Sequence, residues 1–320
     1  MTSARTLIDV ELEPAIGSRF QPTGFPDLGA AEFRRPKDGA SCLIVESAQS
    51  MANHLEGSAW IDAENKPVDV FDGLPYVRVV GADGRYLTSS RTESHRLASA
   101  FIKDSFLDDR SMKDVLTERL GLKGDTPLDH RAIAKAVFAL DPFALVHGVF
   151  FADSAWPGQP KVARALTAFV EAIGVERAES GGVKKDHVRH KNEDDGGSAE
   201  GYGSVPFART EWTAREVLAS FSLDRRQIRS YGLGDAATKL LEDIALWEIR
   251  ALLDDGLRLR TACDLVPVSD VIVDRTGAAL PSLDELSASV AAGVKTCANL
   301  TQGAGALEVV WSGGKKKAKG

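Results

Sequence analysis

Strict alternation of apolar and polar residues marks the first element of the chain. In LIDVELE (7–13), Ile8, Val10 and Leu12 alternate with acidic side chains. A period of two is typical of a strand that buries one face and exposes the other. The pattern therefore predicts a half-buried β-strand near the start of the sequence.

The stretch SCLIVESAQSMANHLE (41–56) predicts a strand followed by a helix. An apolar run at 42–45 forms the strand, and Ala48, Met51, Ala52 and Leu55 then recur at helical spacing and form one buried stripe. The outer face of this helix is polar but uncharged, and it consists of Ser47, Gln49, Ser50, Asn53 and His54. Two interpretations of that face are open, a solvated surface of unusual composition or a contact surface.

Further periodicities predict a mixed set of elements. The ADG turn within 76–90 indicates a hairpin, and Ser90 with Glu93 indicates a capping box that begins a helix bearing a stripe at 97, 98, 101 and 102. The other predicted elements are a buried strand at 143–151, a helix at 160–173, a long helix at 235–254, the strand LRLRTACDL (257–265), and a C-terminal helix, glycine turn and strand within 282–311. Strands interleaved with helices and hairpins favour an α+β fold.

Two segments depart from this pattern. Residues 176–204 are rich in glycine and charge and contain few large apolar side chains, so we expect an exposed mobile loop or a weakly ordered hairpin inserted in the fold. The C-terminal GGKKKAKG (313–320) is expected to be a disordered basic tail. The whole of 1–320 is interpreted as a single domain with these two additions.

Composition indicates an ordinary globular chain. Of the 320 residues, 43% are hydrophobic and 27% are charged. No window approaches the roughly 20 apolar residues of a membrane helix, and the N-terminus lacks a signal-peptide core, so we expect a cytoplasmic protein with no membrane partner. The three cysteines, Cys42, Cys263 and Cys297, are far apart and form neither a disulfide framework nor a zinc motif.

The net charge of −7 argues against general nucleic-acid binding, but basic residues are concentrated locally. Three groups have the charge to contact phosphate: Arg91, His95 and Arg96; Lys184, Lys185 and Arg189; and Arg258 with Arg260, which strand alternation places on one face. Solvated faces and local ion pairs are alternative interpretations of each group. The glycines beside the second group would allow it to wrap around a nucleic-acid strand.

Motifs for enzyme chemistry are weak. YGLGDAA (231–237) matches the dinucleotide pattern G-x-G-x-x-A, but DRRQIRS precedes it where a buried strand is required, and a helix-entry turn explains it equally well. A His and Asp cluster at 186–195 has metal-binding side chains but lies in the least ordered segment. His147 is interpreted as a hydrogen-bonded core histidine. We therefore expect no cofactor, no metal and no catalytic residues.

Four blocks together carry a family resemblance. GSRFQPTGFPDLG (17–29), CLIVESAQSMANHLE (42–56), TSSRTESHRLASAF (88–101) and GLRLRTACDL (256–265) resemble the backbone subunit of type I-G (formerly type I-U) CRISPR Cascade complexes, in the RAMP superfamily. The matching blocks extend from about residue 7 to about residue 310. Their order and spacing, more than any single block, make the resemblance specific.

The resemblance implies an RRM-like (ferredoxin-like) palm with large insertions and a flexible thumb. Similar subunits polymerise as a helical filament along CRISPR RNA, leave the guide free to pair with target DNA, and associate with other Cascade subunits that recruit a separate helicase-nuclease. The implied protein is no enzyme, and it holds RNA through phosphate and ribose. The aromatic RNP motifs are absent, which agrees with a protein that binds the backbone of the RNA and does not stack on its bases.

Residue roles follow from the resemblance only where its blocks match. The polar helix face, the group from Arg91 to Arg96, and Arg258 with Arg260 lie inside matching blocks and are expected to contact RNA, whereas 181–191 matches mainly in GGVKKD and is a candidate thumb. The resemblance thus favours contact over solvation for Gln49, Ser50, Asn53 and His54. An RNA-cleaving RAMP subunit with metal-dependent loop Asp chemistry is the alternative function.

Overall fold

The structure is a computed structural model that describes residues 4–25, 29–154, 156–184, 187, 205–301 and 305–313. Its strands are β1 (Arg5–Pro14), β2 (Gly24–Phe25), β3 (Gly29–Ala30), β4 (Glu32–Arg34), β5 (Ser41–Glu46), β6 (Trp60–Ile61), β7 (Lys66–Pro67), β8 (Tyr76–Gly81), β9 (Tyr86–Ser89), β10 (Ser105–Leu107), β11 (Arg110–Ser111), β12 (Val149–Phe150), β13 (Lys161–Val162), β14 (Leu166–Ile173), β15 (Glu176–Lys184), β16 (Val205–Thr213), β17 (Glu216–Asp224), β18 (Leu257–Arg260), β19 (Cys263–Pro267) and β20 (Ala306–Trp311). Its helices are α1 (Ala48–Ser58), α2 (Ala100–Lys103), α3 (Met112–Arg119), α4 (His130–Leu140), α5 (Phe143–His147), α6 (Arg225–Ser230), α7 (Asp235–Asp255) and α8 (Leu283–Thr296). The α+β class is therefore confirmed.

A seven-stranded antiparallel sheet organises the molecule, in the order β18-β19-β1-β17-β14-β5-β4. Buried and more accessible residues alternate along β1 and β17, which pair in register from Arg5 opposite Asp224 to Leu12 opposite Val217. This alternation turns one face of the sheet toward the core. Ile8, Phe221 and Ala168 are neighbours on that face, and all three are buried.

Helix α7 is the central core helix. More than half of its 21 residues are buried, and it packs against α1, α5, α6 and α8. It begins after Gly234 and ends before Gly256, whose φ angles of 88° and 79° fall in the region that glycine adopts without strain. Each end of the helix is thus marked by a glycine in a conformation that would strain another residue.

A second sheet of five strands, ordered β11-β10-β20-β8-β9, brings the C-terminal strand onto the β8–β9 hairpin. Strand β20 runs parallel to β8, with Ala306 opposite Tyr76 and Trp311 opposite Gly81. The long connection between these strands is what permits a parallel pair. Within the residues that the structure describes, no helix has the length and hydrophobicity needed to cross a membrane.

A long two-stranded hairpin, β15–β16, is a separate sheet. It pairs from Glu176 opposite Thr213 to Lys184 opposite Val205. Of the two expectations for 176–204, a loop or a hairpin, the described part adopts the hairpin. Residues 185–186 and 188–204, and the tail from 314 onward, lie outside the described residues.

Several predicted elements are confirmed: the strand at 7–13, the strand at 42–45, the helix that follows it, the hairpin at 76–90, the helix at 235–254, and the C-terminal helix and strand. Strict alternation indicates the first of these elements, and the ADG turn indicates the hairpin. The burial of Met51, Ala52 and Leu55 in α1 is the stripe that helical spacing predicts.

The helix predicted to begin at Ser90 is wrong. The Ser90 hydroxyl donates to Asp141 at 2.6 Å and accepts the backbone N–H of Val77 at 3.1 Å, so it caps nothing. The carboxylate of Glu93 accepts from the hydroxyls of Thr88 and Ser99. Only a 3-10 turn at Arg96–Ala98 and the one-turn α2 follow. The distant Asp141 engages Ser90, and nearby hydroxyls engage Glu93, so neither residue is available for the capping box.

Three other assignments are also corrected. Residues 143–151 form α5 and β12 instead of one strand, and 160–173 form β13 and β14 instead of a helix. Leu166 and Val170 satisfy both the helical and the strand period, and the period of two prevails because β14 lies between β17 and β5 in the sheet. The predicted single strand at 257–265 is a tight hairpin that turns at Ala262, with φ 61°.

Candidate nucleic-acid interface

Two cavities adjoin at the base of the β15–β16 hairpin and share one side chain, Arg260. The larger has a volume of about 730 Å³ and lies between this hairpin and β2–β3. The smaller, of about 530 Å³, lies between the segment 16–19 and the β18–β19 turn. The two cavities, which meet at Arg260, are together called the arginine groove. Its arginines are Arg19, Arg177, Arg209, Arg258 and Arg260.

The segment 20–23 forms part of the groove wall and is fixed by three other elements. Phe20 and Trp212 exchange two backbone hydrogen bonds, each 2.9 Å long. The N–H of Gln21 donates to the carbonyl of Ala262 at 2.7 Å, and that of Thr23 donates to Val45 at 2.9 Å. These bonds connect the hairpin, the β18–β19 turn and β5 to one wall.

Arg260 holds the groove together. Its Nη1 donates to the carbonyls of Gln21 and Val45, both at 3.1 Å, and its Nη2 pairs with Glu46, whose side chain is only 1% exposed. Partial burial lowers the pKa of Arg260 from its ordinary value. The guanidinium has thus committed most of its donors to protein, and the prediction that it grips phosphate directly does not fit these contacts.

Arg258 has the opposite environment on the same strand. Its side chain is exposed and lines the smaller cavity, and across the strand pair it stands opposite Asp264. Among the residues that the structure describes, it forms no hydrogen bond or ion pair. An unpaired guanidinium in a groove can donate two parallel hydrogen bonds to a phosphate.

Two exposed arginines of the groove were not predicted from the sequence. Arg19 pairs with Glu211 at 3.1 Å, and Arg177 pairs with Glu32 and lies 5.2 Å from the ring centroid of Trp212. Both guanidinium side chains are more than half exposed. The pair of Arg177 with Glu32 is exposed on both sides and contributes roughly 0–1 kcal/mol, so a phosphate can replace Glu32. The Glu211 side chain is only 12% exposed, so Arg19 has a buried partner. The strand register of the β15–β16 hairpin would have indicated Arg177, because it places Arg177 directly across from Trp212.

The polar face of α1 meets the groove at Glu46. His54 Nε2 lies 3.8 Å from the Glu46 carboxylate that Arg260 also contacts, and burial lowers the pKa of His54. Gln49 and Asn53 are exposed, whereas Ser50 and His54 are half-buried. The structure therefore brings together two of the four predicted groups, the helix face and the β18 arginines.

Arg164 extends this face and was missed by sequence reasoning. Its Nη1 donates to the carbonyl of Ala48 at 2.7 Å, and its Nη2 donates to Oε1 of Gln49 at 3.0 Å. Burial lowers its pKa from the ordinary value. It precedes β14 by two residues, where no periodic pattern marks it.

The group Arg91, His95 and Arg96 does not form a basic patch. Arg91 is buried, pairs with Asp141 at 2.8 Å and lies 3.4 Å from the ring centroid of Phe143. Arg96 is buried in a two-fold pair with Glu56, at 2.6 Å each, and donates to the carbonyl of Gly148. The expectation that these two arginines contact phosphate does not fit this burial, and only His95 is exposed.

The remaining predicted contacts lie at the far end of the hairpin. Lys184 is exposed as the last residue of β15. Lys185 and Arg189 lie outside the described residues, as does most of the 186–195 cluster. In the described ranges, no group of three or more His, Cys, Asp or Glu side chains has the arrangement of a metal site.

The structure gives two enzyme-like motifs structural roles. YGLGDAA forms the turn between helix α6 and helix α7. A dinucleotide fingerprint requires a strand before the motif, and this chain has a helix there. His147 is a core histidine, as predicted, with Nε2 against the carboxyl of Glu248.

Comparison with known proteins identifies a family and a set of similar structures, of which two are described. The model of the family described as CRISPR-associated protein GSU0053 matches residues 6–177, more than half of the 320-residue chain. No curated protein sequence matches significantly. The chain is similar to a structure described as "CRISPR RNA-guided surveillance complex, pre-nicking", with 12% identity and a TM-score of 0.41 over 84% of this chain and 76% of that chain. It is also similar to Thermofilum pendens Csc2, with 9% identity and a TM-score of 0.31 over 94% of this chain and 76% of that one.

Proposed function

The chain belongs to the CRISPR-associated protein GSU0053 family, and on this premise we propose that it is a non-catalytic backbone subunit of a type I Cascade complex that binds CRISPR RNA. Copies of the subunit would polymerise along the guide and leave its bases free to pair with target DNA. The four sequence blocks support the finer assignment to type I-G and to the RAMP superfamily.

The observation that carries the proposal is the arginine groove with Arg258 unpaired in it. Arg258 supplies donors that no described carboxylate uses, and Arg177 forms an exposed ion pair that phosphate can displace. More than half of the Arg19 side chain is also exposed. Phosphate contacts of this kind give affinity without reading sequence. Contacts that do not depend on base sequence allow the subunit to hold a guide RNA of any sequence.

Base stacking contributes little in this proposal. Trp212 is the aromatic ring nearest the groove arginines, but it is only 3% exposed and is covered by Arg177. Proteins that bind single strands by stacking present open aromatic rings. The groove instead presents guanidinium groups, which suit phosphate, and Gln49 and Asn53 are exposed on the polar face of α1.

We assign the large sheet and its helices to the RRM-like palm, and the β15–β16 hairpin to the thumb that crosses the guide. The hairpin extends nine residue pairs from its base at the groove to Lys184 and Val205. Partners in this proposal are CRISPR RNA, further copies of the chain, other Cascade subunits and a recruited helicase-nuclease, in the cytoplasm.

The proposal is tested by co-expressing the chain with the other protein subunits and a CRISPR RNA. We expect purified complexes to contain several copies of the chain per RNA, and RNA affinity to fall steeply with salt. Complexes without RNA, or binding that is insensitive to salt, would contradict the proposal. Complementary RNA incubated with the complex and Mg²⁺ should stay intact, whereas periodic cuts would favour the ribonuclease alternative.

A further inference from the structure

A second groove follows the exposed face of α4. Two adjoining cavities of about 420 and 530 Å³ share Ala132, Lys135 and Leu300. Residues 232–233 and Asn299 with Leu300 form the facing wall, and Arg119 lies at one end. We call this the α4 groove. Its lining residues are separate from those of the arginine groove.

The floor of the α4 groove is flat and apolar. Ala132, Ala136 and Ala139 follow one another at helical spacing, and Leu233 and Leu300 complete the surface. Ala132 and Ala139 are seven residues apart, which is about 10 Å along the helix axis. Alanines at such positions allow a second helix to approach closely along two to three turns.

The rim of the α4 groove is positive. Arg119 and Lys135 are exposed, and within the described part of the chain neither forms a hydrogen bond or an ion pair. Arg131 uses only Nε, which donates to the carbonyl of Gly232 at 3.2 Å. The one carboxylate in the lining, Asp129, is the N-cap of α4 and accepts two backbone N–H groups at 3.0 Å. The groove is thus locally basic on a chain of net charge −7.

From this combination we infer that the α4 groove binds an acidic amphipathic helix of another protein subunit. An apolar floor buries the apolar face of such a helix, and three rim cations pair with its Asp or Glu side chains. Nucleic acid fits less well, since the alanine and leucine floor offers no hydrogen-bond donors to phosphate or ribose. This inference rests on the proposed function, because the partner is another subunit of the proposed complex.

Carbodiimide cross-linking of the assembled complex tests the contact directly, since it joins an amine to a touching carboxylate. We expect mass spectrometry to find Lys135 joined to an Asp or Glu of a different protein subunit. Cross-links only to a second copy of this chain, or protection of Lys135 by nucleic acid alone, would overturn the inference.

A charge reversal with a matched control tests the energetics. The double variant Arg119→Glu/Lys135→Glu should weaken binding of the partner subunit at least tenfold, with the RNA content of the chain unchanged. Lys123→Glu/Lys295→Glu alters the net charge equally, at exposed positions outside the groove, and should retain the partner. Equal retention by both double variants would refute the inference. If complexes of the unaltered chain contain no RNA, the proposed function is refuted instead. The Lys135 cross-link can still be measured in those complexes.

Discussion

The Nε2 atom of His147 lies 3.0 and 2.9 Å from the two carboxyl oxygens of Glu248, in the fully buried centre of the protein. Burial lowers the pKa of His147 to about 4 and raises the pKa of Glu248 well above its ordinary value. Both shifts favour a neutral pair near pH 6, in which the Glu248 carboxyl keeps its proton and the imidazole is uncharged.

This pair predicts opposite pH dependence for two single variants. Between pH 4.5 and 6.5 the unfolded chain holds one proton on His147 and the folded chain holds one on Glu248, so the pair adds little slope. In Glu248→Gln only the His147 contribution remains, which is present above pH 6.5 and is lost as the pH falls toward 4. In His147→Gln only the Glu248 contribution remains, which is present below pH 4.5 and is lost as the pH rises.

Urea unfolding at pH 5.0 and 6.5 measures both slopes. Each should approach about 1.4 kcal/mol per pH unit, with opposite signs. His95→Gln, at an exposed position, serves as the control and should behave like the unaltered chain. If the free energy of unfolding changes with pH in the same direction in both variants, the folded chain does not hold the proton on Glu248.

Arg258→Ala should weaken RNA binding and leave stability unchanged. The side chain is exposed and has no partner among the described residues, so its loss removes one phosphate contact and no intramolecular one. The slope of log affinity against log salt should decrease by about one. Arg85→Ala, in an exposed turn, is the matched control, and an equal loss of affinity there would contradict a specific role for Arg258.

Arg260→Ala, two residues further on, should act mainly through stability. It leaves the buried Glu46 carboxylate without its guanidinium and two backbone carbonyls without a donor. We expect a loss of about 2 kcal/mol in the free energy of unfolding, less than for a fully buried pair because the arginine is partly exposed. The urea midpoint checks this, and combining the change with Glu46→Gln should recover part of the loss.

Arg91→Ala should destabilise the fold severely. The change leaves Asp141 charged and buried, and it removes the guanidinium that packs on Phe143. Breaking one partner of a buried pair costs about 3–5 kcal/mol. Thermal unfolding provides the measurement, with His95→Ala as the neighbouring exposed control. A variant that folds normally but loses RNA would restore the original expectation of a phosphate contact.

Gln49→Ala combined with Asn53→Ala should leave the fold intact and weaken assembly on RNA. Both side chains are exposed, and the one bond lost is that from Arg164 to Gln49. The number of copies per RNA, measured by mass photometry, should fall at moderate salt. Unchanged assembly would identify this face of α1 as a solvated surface.

Elements with an unambiguous local period could be predicted from the sequence. Strand β1 alternates buried and more accessible residues, helix α1 buries a stripe at helical spacing, and the ADG turn indicates the β8–β9 hairpin. Prediction failed where one pattern suits two structures, as in β14, or where a distant partner engaged a capping residue, as Asp141 does at Ser90.

The sequence by itself determined the α+β class, the polar face of α1 and the presence of arginines at 258 and 260. Only the tertiary structure decided which of those arginines is free. Alternation treats Arg258 and Arg260 as equivalent, but the chain folds Glu46 and the carbonyls of Gln21 and Val45 against Arg260 alone. Those partners lie more than 200 residues away in sequence, so no local pattern encodes the difference between a structural and an available guanidinium.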